Sequence, residues 1–175
     1  MKHSVKMRIL AGISIMAVTA CWSGTNVYAA YDPATNTDTL TNRMISTTRD
    51  TMEGDMHTYD HADRNLVINW DAQNGRGDGS AIRDADVTAK NITIDVNFDD
   101  PAGWVNKGII SSEGDSHVIA GGNIKINSFD DAVYTENTAK TTIEGFKNLV
   151  IKASGNENET DDNDTPVGGF GVTDN

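Results

Sequence analysis

From Asn65 to Ala153 the large apolar residues fall on every second position, in short bursts. Leu66, Ile68 and Trp70 alternate with polar or smaller neighbours, as do Ile92, Ile94, Val96 and Phe98. Ile124 with Ile126, and Leu149 with Ile151 and Ala153, continue the pattern. Alternation sends one set of side chains to each face of an extended chain, so each burst predicts a half-buried strand. Four of them open on one phrase: Asn65-Leu66-Val67-Ile68, Asn91-Ile92-Thr93-Ile94, Asn123-Ile124-Lys125-Ile126 and Asn148-Leu149-Val150-Ile151. Composition alone would give roughly 0.2 matches to N-[IL]-x-I. A strand unit recurring every 25 to 32 residues predicts a coil that must stack on its neighbours to bury its apolar row.

A second strand precedes each later burst: Val87-Thr88-Ala89-Lys90, Val118-Ile119-Ala120 and Thr142-Ile143-Glu144. Short runs at Gly108-Ile109-Ile110 and Ala132-Val133-Tyr134 bring the count to about three strands per turn. Asparagine suits the corner before each burst for two reasons. It tolerates left-handed backbone angles, and its amide can bond nearby backbone; stacked coils could also ladder these amides. The expected fold is all-β, a right-handed parallel β-helix of about four coils. The alternative is an antiparallel β-sandwich of short strands. The expected divisions are a leader over 1–29, a polar cap over 30–64, coils over 65–153 and an acidic polar tail over 154–175. Within the cap, Asp38 before Leu40, Met44 and Ile45 could open one short helix.

Residues 1–29 read as an address. Lys2, Lys6 and Arg8 precede an apolar run from Ile9 to Ala20, and small and polar residues lead to Val27-Tyr28-Ala29. That order is a secretory signal peptide, and its apolar run is too short for the ~20 residues that span a bilayer. Cleavage after Ala29 is the preferred reading. Val18-Thr19-Ala20-Cys21 forms a competing lipobox that would leave a lipid on Cys21. Either way the mature chain keeps at most one cysteine, so no disulfide within it can form.

Charge narrows the partners. Removing residues 1–29 takes away three basic residues and no acid, so the formal charge of −12 becomes −15. Such a field repels phosphate backbones and anionic lipid, which argues against nucleic acid. Large apolar residues are sparse while Asn, Asp, Thr and Gly abound. A thick core cannot be filled from this stock, but the narrow interior of a solenoid can.

The signal peptide, the Asn-initiated coils and the Asp/Asn/Gly-rich loops together resemble the N-terminal passenger segment of a Gram-negative autotransporter (type V secretion), of the adhesin-like kind. The resemblance covers roughly residues 1–153. It implies an exported β-helical arm at the cell surface or outer membrane, or outside the cell, acting on host-cell or surface ligands. It also implies an outer-membrane barrel encoded downstream; a chain truncated before that barrel would remain periplasmic. An open solenoid edge would favour self-association. The competing functions are a polysaccharide-cleaving β-helix and a purely structural surface solenoid.

Candidate chemistry is thin. Arg76-Gly77-Asp78 has the form of an adhesive tripeptide in a Gly-rich loop and is the candidate partner-binding loop, though such a loop is also an ordinary solvated turn. His57 and His61 would face one metal if they lay on a helix, yet no Glu follows His57, so HExxH is absent. Asp99-Asp100, Asp130-Asp131 and Asp161-Asp162 resemble oxygen-rich calcium loops without the spaced pattern such loops carry. The motif GxSxG and phosphate-binding glycine loops are missing. No catalytic residue, cofactor or metal ligand is assigned, and the chain is expected not to be an enzyme.

Overall fold

The computed structural model describes residues 29–48, 55–70, 80–96, 107–154 and 172–174. Among these residues there are strands and turns but no helix, and the strands stack into a parallel β-solenoid. After β1 (Ala30–Asp32) the chain runs a repeating circuit of three faces. The first circuit is β2 (Thr37–Thr41), β3 (Ile45–Ser46) and the front half of β4 (Tyr59–Asn69). The back half of β4 opens the second, continued by β5 (Ile82–Arg83) and the front half of β6 (Asp86–Val96). The back half of β6, β7 (Ile109–Ser111) and β8 (Ser116–Ala120) form the third. A fourth consists of β9 (Asn123–Ser128), β10 (Val133–Thr135) and β11 (Thr141–Glu144). Then β12 (Asn148–Ala153) and β13 (Val172–Asp174) lie on the next level.

Each strand pairs in parallel with its counterpart one turn away. On the first face the register is Leu40, Ile68, Ile94, Ile126 and Ile151, one above another. The first four are fully buried and Ile151 is half-buried. The expected alignment of the burst isoleucines on one sheet therefore holds. A second inward row runs Asp38, Leu66, Ile92, Ile124 and Leu149. The second face contributes Ile45, Ile82, Ile109 and Val133, and the third contributes Tyr59, Val87, Val118 and Ile143. Each fully buried aliphatic side chain is worth about 1.5–3 kcal/mol. These four rows hold most of the core.

Parallel pairing rules out the antiparallel sandwich. The single antiparallel pair among the described residues is β1 with β2. It is closed by a turn in which Asp32 accepts from the Ala34 amide at 2.9 Å and from Thr35 Oγ1 at 2.8 Å. The backbone donor at Ala34 is the main reason the Asp32 carboxyl sits below its ordinary range.

The coils also begin earlier than the expected Asn65 boundary. Thr37–Thr41 pairs in register with Asn65–Asn69, so much of the supposed cap is itself a coil. The helix expected to open at Asp38 is therefore strand β2. The segment lacks the repeated phrase because Thr37 replaces Asn and Asp38 replaces Leu or Ile. Asp38 is tolerated in the interior because Tyr59 Oη donates to it at 2.7 Å and Arg64 lies 3.3 Å away. At the other end, Val172–Asp174 pairs with β10, so part of the expected tail is strand.

The repeated asparagines do ladder. Asn91 Nδ2 donates to Asn65 Oδ1 at 2.8 Å, and Asn148 Nδ2 donates to Asn123 Oδ1 at 2.8 Å. Between those pairs the rung changes: Asn91 Oδ1 accepts the Asn123 backbone amide at 2.7 Å. Gly122 makes this possible, since a Cβ there would fall on Asn91 Oδ1 and lie 2.9 Å from the Lys90 carbonyl oxygen. Left-handed angles play no part at these four positions. Among the described non-glycine residues they occur at Asn36, Asn42, Asp84 and Asn137, all between strands.

Candidate functional site

Function on a solenoid is carried by what leaves its corners, so connection lengths matter. Between the third face and the first the chain needs only one to three residues, such as Lys90 or Gly121-Gly122. Between successive described strands, four separations exceed ten residues. Three of them, 70–81, 97–108 and 154–171, leave the first face and return on the second. The fourth, 47–58, joins the second face to the third. Three of the four thus leave and re-enter the described fold at one edge. Arg76, Gly77 and Asp78 belong to the first of these connections and lie outside the described residues, as do Asp99-Asp100, Asp161-Asp162 and the leader with Cys21. The described residues on either side of Arg76-Gly77-Asp78 are held in the ladder: the Trp70 amide donates to Asp95 O at 2.9 Å, and the Ala81 amide to Lys107 O at 3.3 Å.

The same edge holds a buried ionic cluster. Lys107 Nζ lies 2.7 Å from Asp130 Oδ2 and 3.1 Å from Asp131 Oδ2, with the Tyr134 ring centroid at 4.5 Å. Lys107 is 8% and Asp131 5% exposed. Asp130-Asp131, which the sequence offers as a calcium loop, is therefore engaged by an ammonium group. Gly108 sets the spacing. Its amide donates to Asp131 O at 3.1 Å, and a Cβ would strike Ala132 O and Ile126 Cγ2.

No family model, curated protein or solved structure matches this chain. Function must be argued from its own geometry.

The histidine pair is not a helical ligand set. His57 precedes β4 and its Nδ1 lies 3.2 Å from Ser46 O, while His61 is within β4 and meets the Tyr59 ring edge-on at 5.0 Å. No group of three or more His, Cys, Asp or Glu side chains converges among the described residues. Another buried acid, Asp84, braces the corner between the second and third faces. Its Oδ1 accepts the Ser112 amide at 2.7 Å and the Glu113 amide at 3.3 Å, and Thr48 Oγ1 donates to Oδ2. Thr47 Oγ1 donates to its carbonyl oxygen, so one residue ties three successive turns. Single-residue hubs of this kind carry no local signal. Lys107 and Asp84 look like ordinary loop charges until the coils are stacked.

Proposed function

We propose that this chain is an exported, adhesin-like interaction arm of the autotransporter passenger type, which presents loops from one edge of a β-solenoid to host-cell or surface ligands. The observation that carries the reading is the concentration of long connections at the corner between the first and second faces. Repeat scaffolds place insertions on one side when that side meets a partner. Arg76-Gly77-Asp78 sits in one such connection and would be the contact with an integrin-type receptor. The leader reading supports export, and the acidic surface supports a protein partner over nucleic acid. An outer-membrane barrel from a downstream region would display the arm.

The test has two arms. Protease treatment of intact cells should remove the chain, and an N-terminus beginning at Ala30 should be found on the released protein. Purified protein should retain integrin-bearing cells on a coated surface, and Asp78→Glu should abolish that retention. A chain that stays inside the cell, or cell retention unchanged by Asp78→Glu, would overturn the assignment.

A further inference from the structure

We propose that Lys107 and Asp130 become joined by an intramolecular amide bond in the folded chain, with Asp131 relaying the proton. Two carboxylates meet one ammonium here, Asp130 Oδ2 at 2.7 Å and Asp131 Oδ2 at 3.1 Å from Lys107 Nζ, in a site largely withdrawn from water. Nucleophile, electrophile and relay are all present. The Lys107 nitrogen lies 2.7 Å from Asp130 Oδ2, so nucleophile and electrophile are already held in contact. Tyr134 covers the nitrogen, and the flanking backbone is pinned by Gly108–Asp131 and Ile109–Ala132 hydrogen bonds of 3.1 and 3.0 Å. Such preorganisation supplies the effective concentration that amide formation lacks in dilute solution.

The step balances within the cluster. One ammonium proton passes from Lys107 to Asp130, leaving an amine beside a carboxylic acid. The amine lone pair attacks Cγ of Asp130 and forms the C–N bond. The Asp131 carboxylate takes a second proton from nitrogen and delivers it to the hydroxyl oxygen on Cγ. The C–O bond breaks and water departs. Ammonium plus carboxylate has become amide plus water, Asp131 is regenerated, and no oxidant or cofactor is consumed. The bond would tie one turn to the next across 23 residues, in a chain whose cysteine content allows no disulfide to do so.

Mass spectrometry of the purified, denatured full chain tests this. The wild-type protein should be lighter by one water than the sequence counted from its determined N-terminus, trypsin should not cut after Lys107, and a branched peptide should join the Lys107 and Asp130 segments. Lys107→Arg keeps the ion pair but removes the amine, and should run at its full sequence mass. Asp131→Asn should lose water far more slowly than wild type, or not at all. Wild-type protein at full mass and cut after Lys107 overturns the proposal. So does a water loss that maps to a linear peptide, and so does an Asp131→Asn chain that condenses at the wild-type rate.

Discussion

Truncating the isoleucine row should reveal a gradient along the solenoid axis. Ile94 is fully buried, with Ile68 stacked on one side and Ile126 on the other. Both neighbours are held by their own ladders, so Ile94→Ala leaves a cavity that cannot collapse. The expected loss is about 2–5 kcal/mol. Ile151 has Ile126 beneath it, is only half-buried, and lies on the last described strand of its face. Its side chain has already left part of its area in water, so Ile151→Ala should cost roughly half as much, ~1–2 kcal/mol. Urea unfolding of the full chain, with slopes compared to confirm that the same surface is exposed, gives both values on one scale. Equal losses at the two positions would refute the reasoning. They would mean that Ile151 is covered as fully as Ile94 and that the row does not end at β12.

Three further outcomes follow from the described geometry. Gly122→Ala should destabilise by about 1–3 kcal/mol; adding Asn91→Ala should return part of that loss, because one of the two clashes is with the Asn91 side chain and the other is with backbone. Burial, then the hydrogen bond to Asp38, pushes the Tyr59 hydroxyl well above its ordinary value of 10.0. The native state therefore holds this proton more tightly than the unfolded chain, so the associated stability is intact below pH ~10 and declines as pH rises beyond it. In an absorbance titration Tyr59 should ionise only with unfolding, and Tyr59→Phe should remove that alkaline component. Val150 is 55% exposed on β12, whose outer edge has no partner strand among the described residues; Val150→Lys should reduce self-association in light scattering, and unchanged association would place the contact elsewhere.

The coils were legible because each presents the same residues in the same phase. Ile68, Ile94, Ile126 and Ile151 could be aligned by eye, and the asparagine rungs followed from that alignment. The first coil was not legible, for a physical reason. Asp38 occupies an inward position that elsewhere holds Leu or Ile, and its partners Tyr59 and Arg64 lie 21 and 26 residues away. A local pattern cannot show that a buried carboxylate will be satisfied. The same limit hid the edge cluster: Lys107 and Asp131 are 24 positions apart in the sequence and meet only after one full turn. The four-residue spacing of His57 and His61, from which no ligand set is assigned, falls at the start of β4, where strand and not helix fixes the backbone.

The ladder geometry also sets how the molecule would yield to force. Each interior parallel strand is bonded to the turns on either side of it, so tension applied at the C-terminal end loads the outermost turn first and leaves those beneath it at rest. Extension should proceed as discrete tears, each freeing one turn. The rungs between successive asparagines span 26, 32 and 25 residues, and an extended chain covers about 3.3–3.6 Å per residue. Peeling from β12 should therefore lengthen the chain by about 85 Å, then about 110 Å, then about 90 Å, an uneven staircase whose tallest riser lies in the middle.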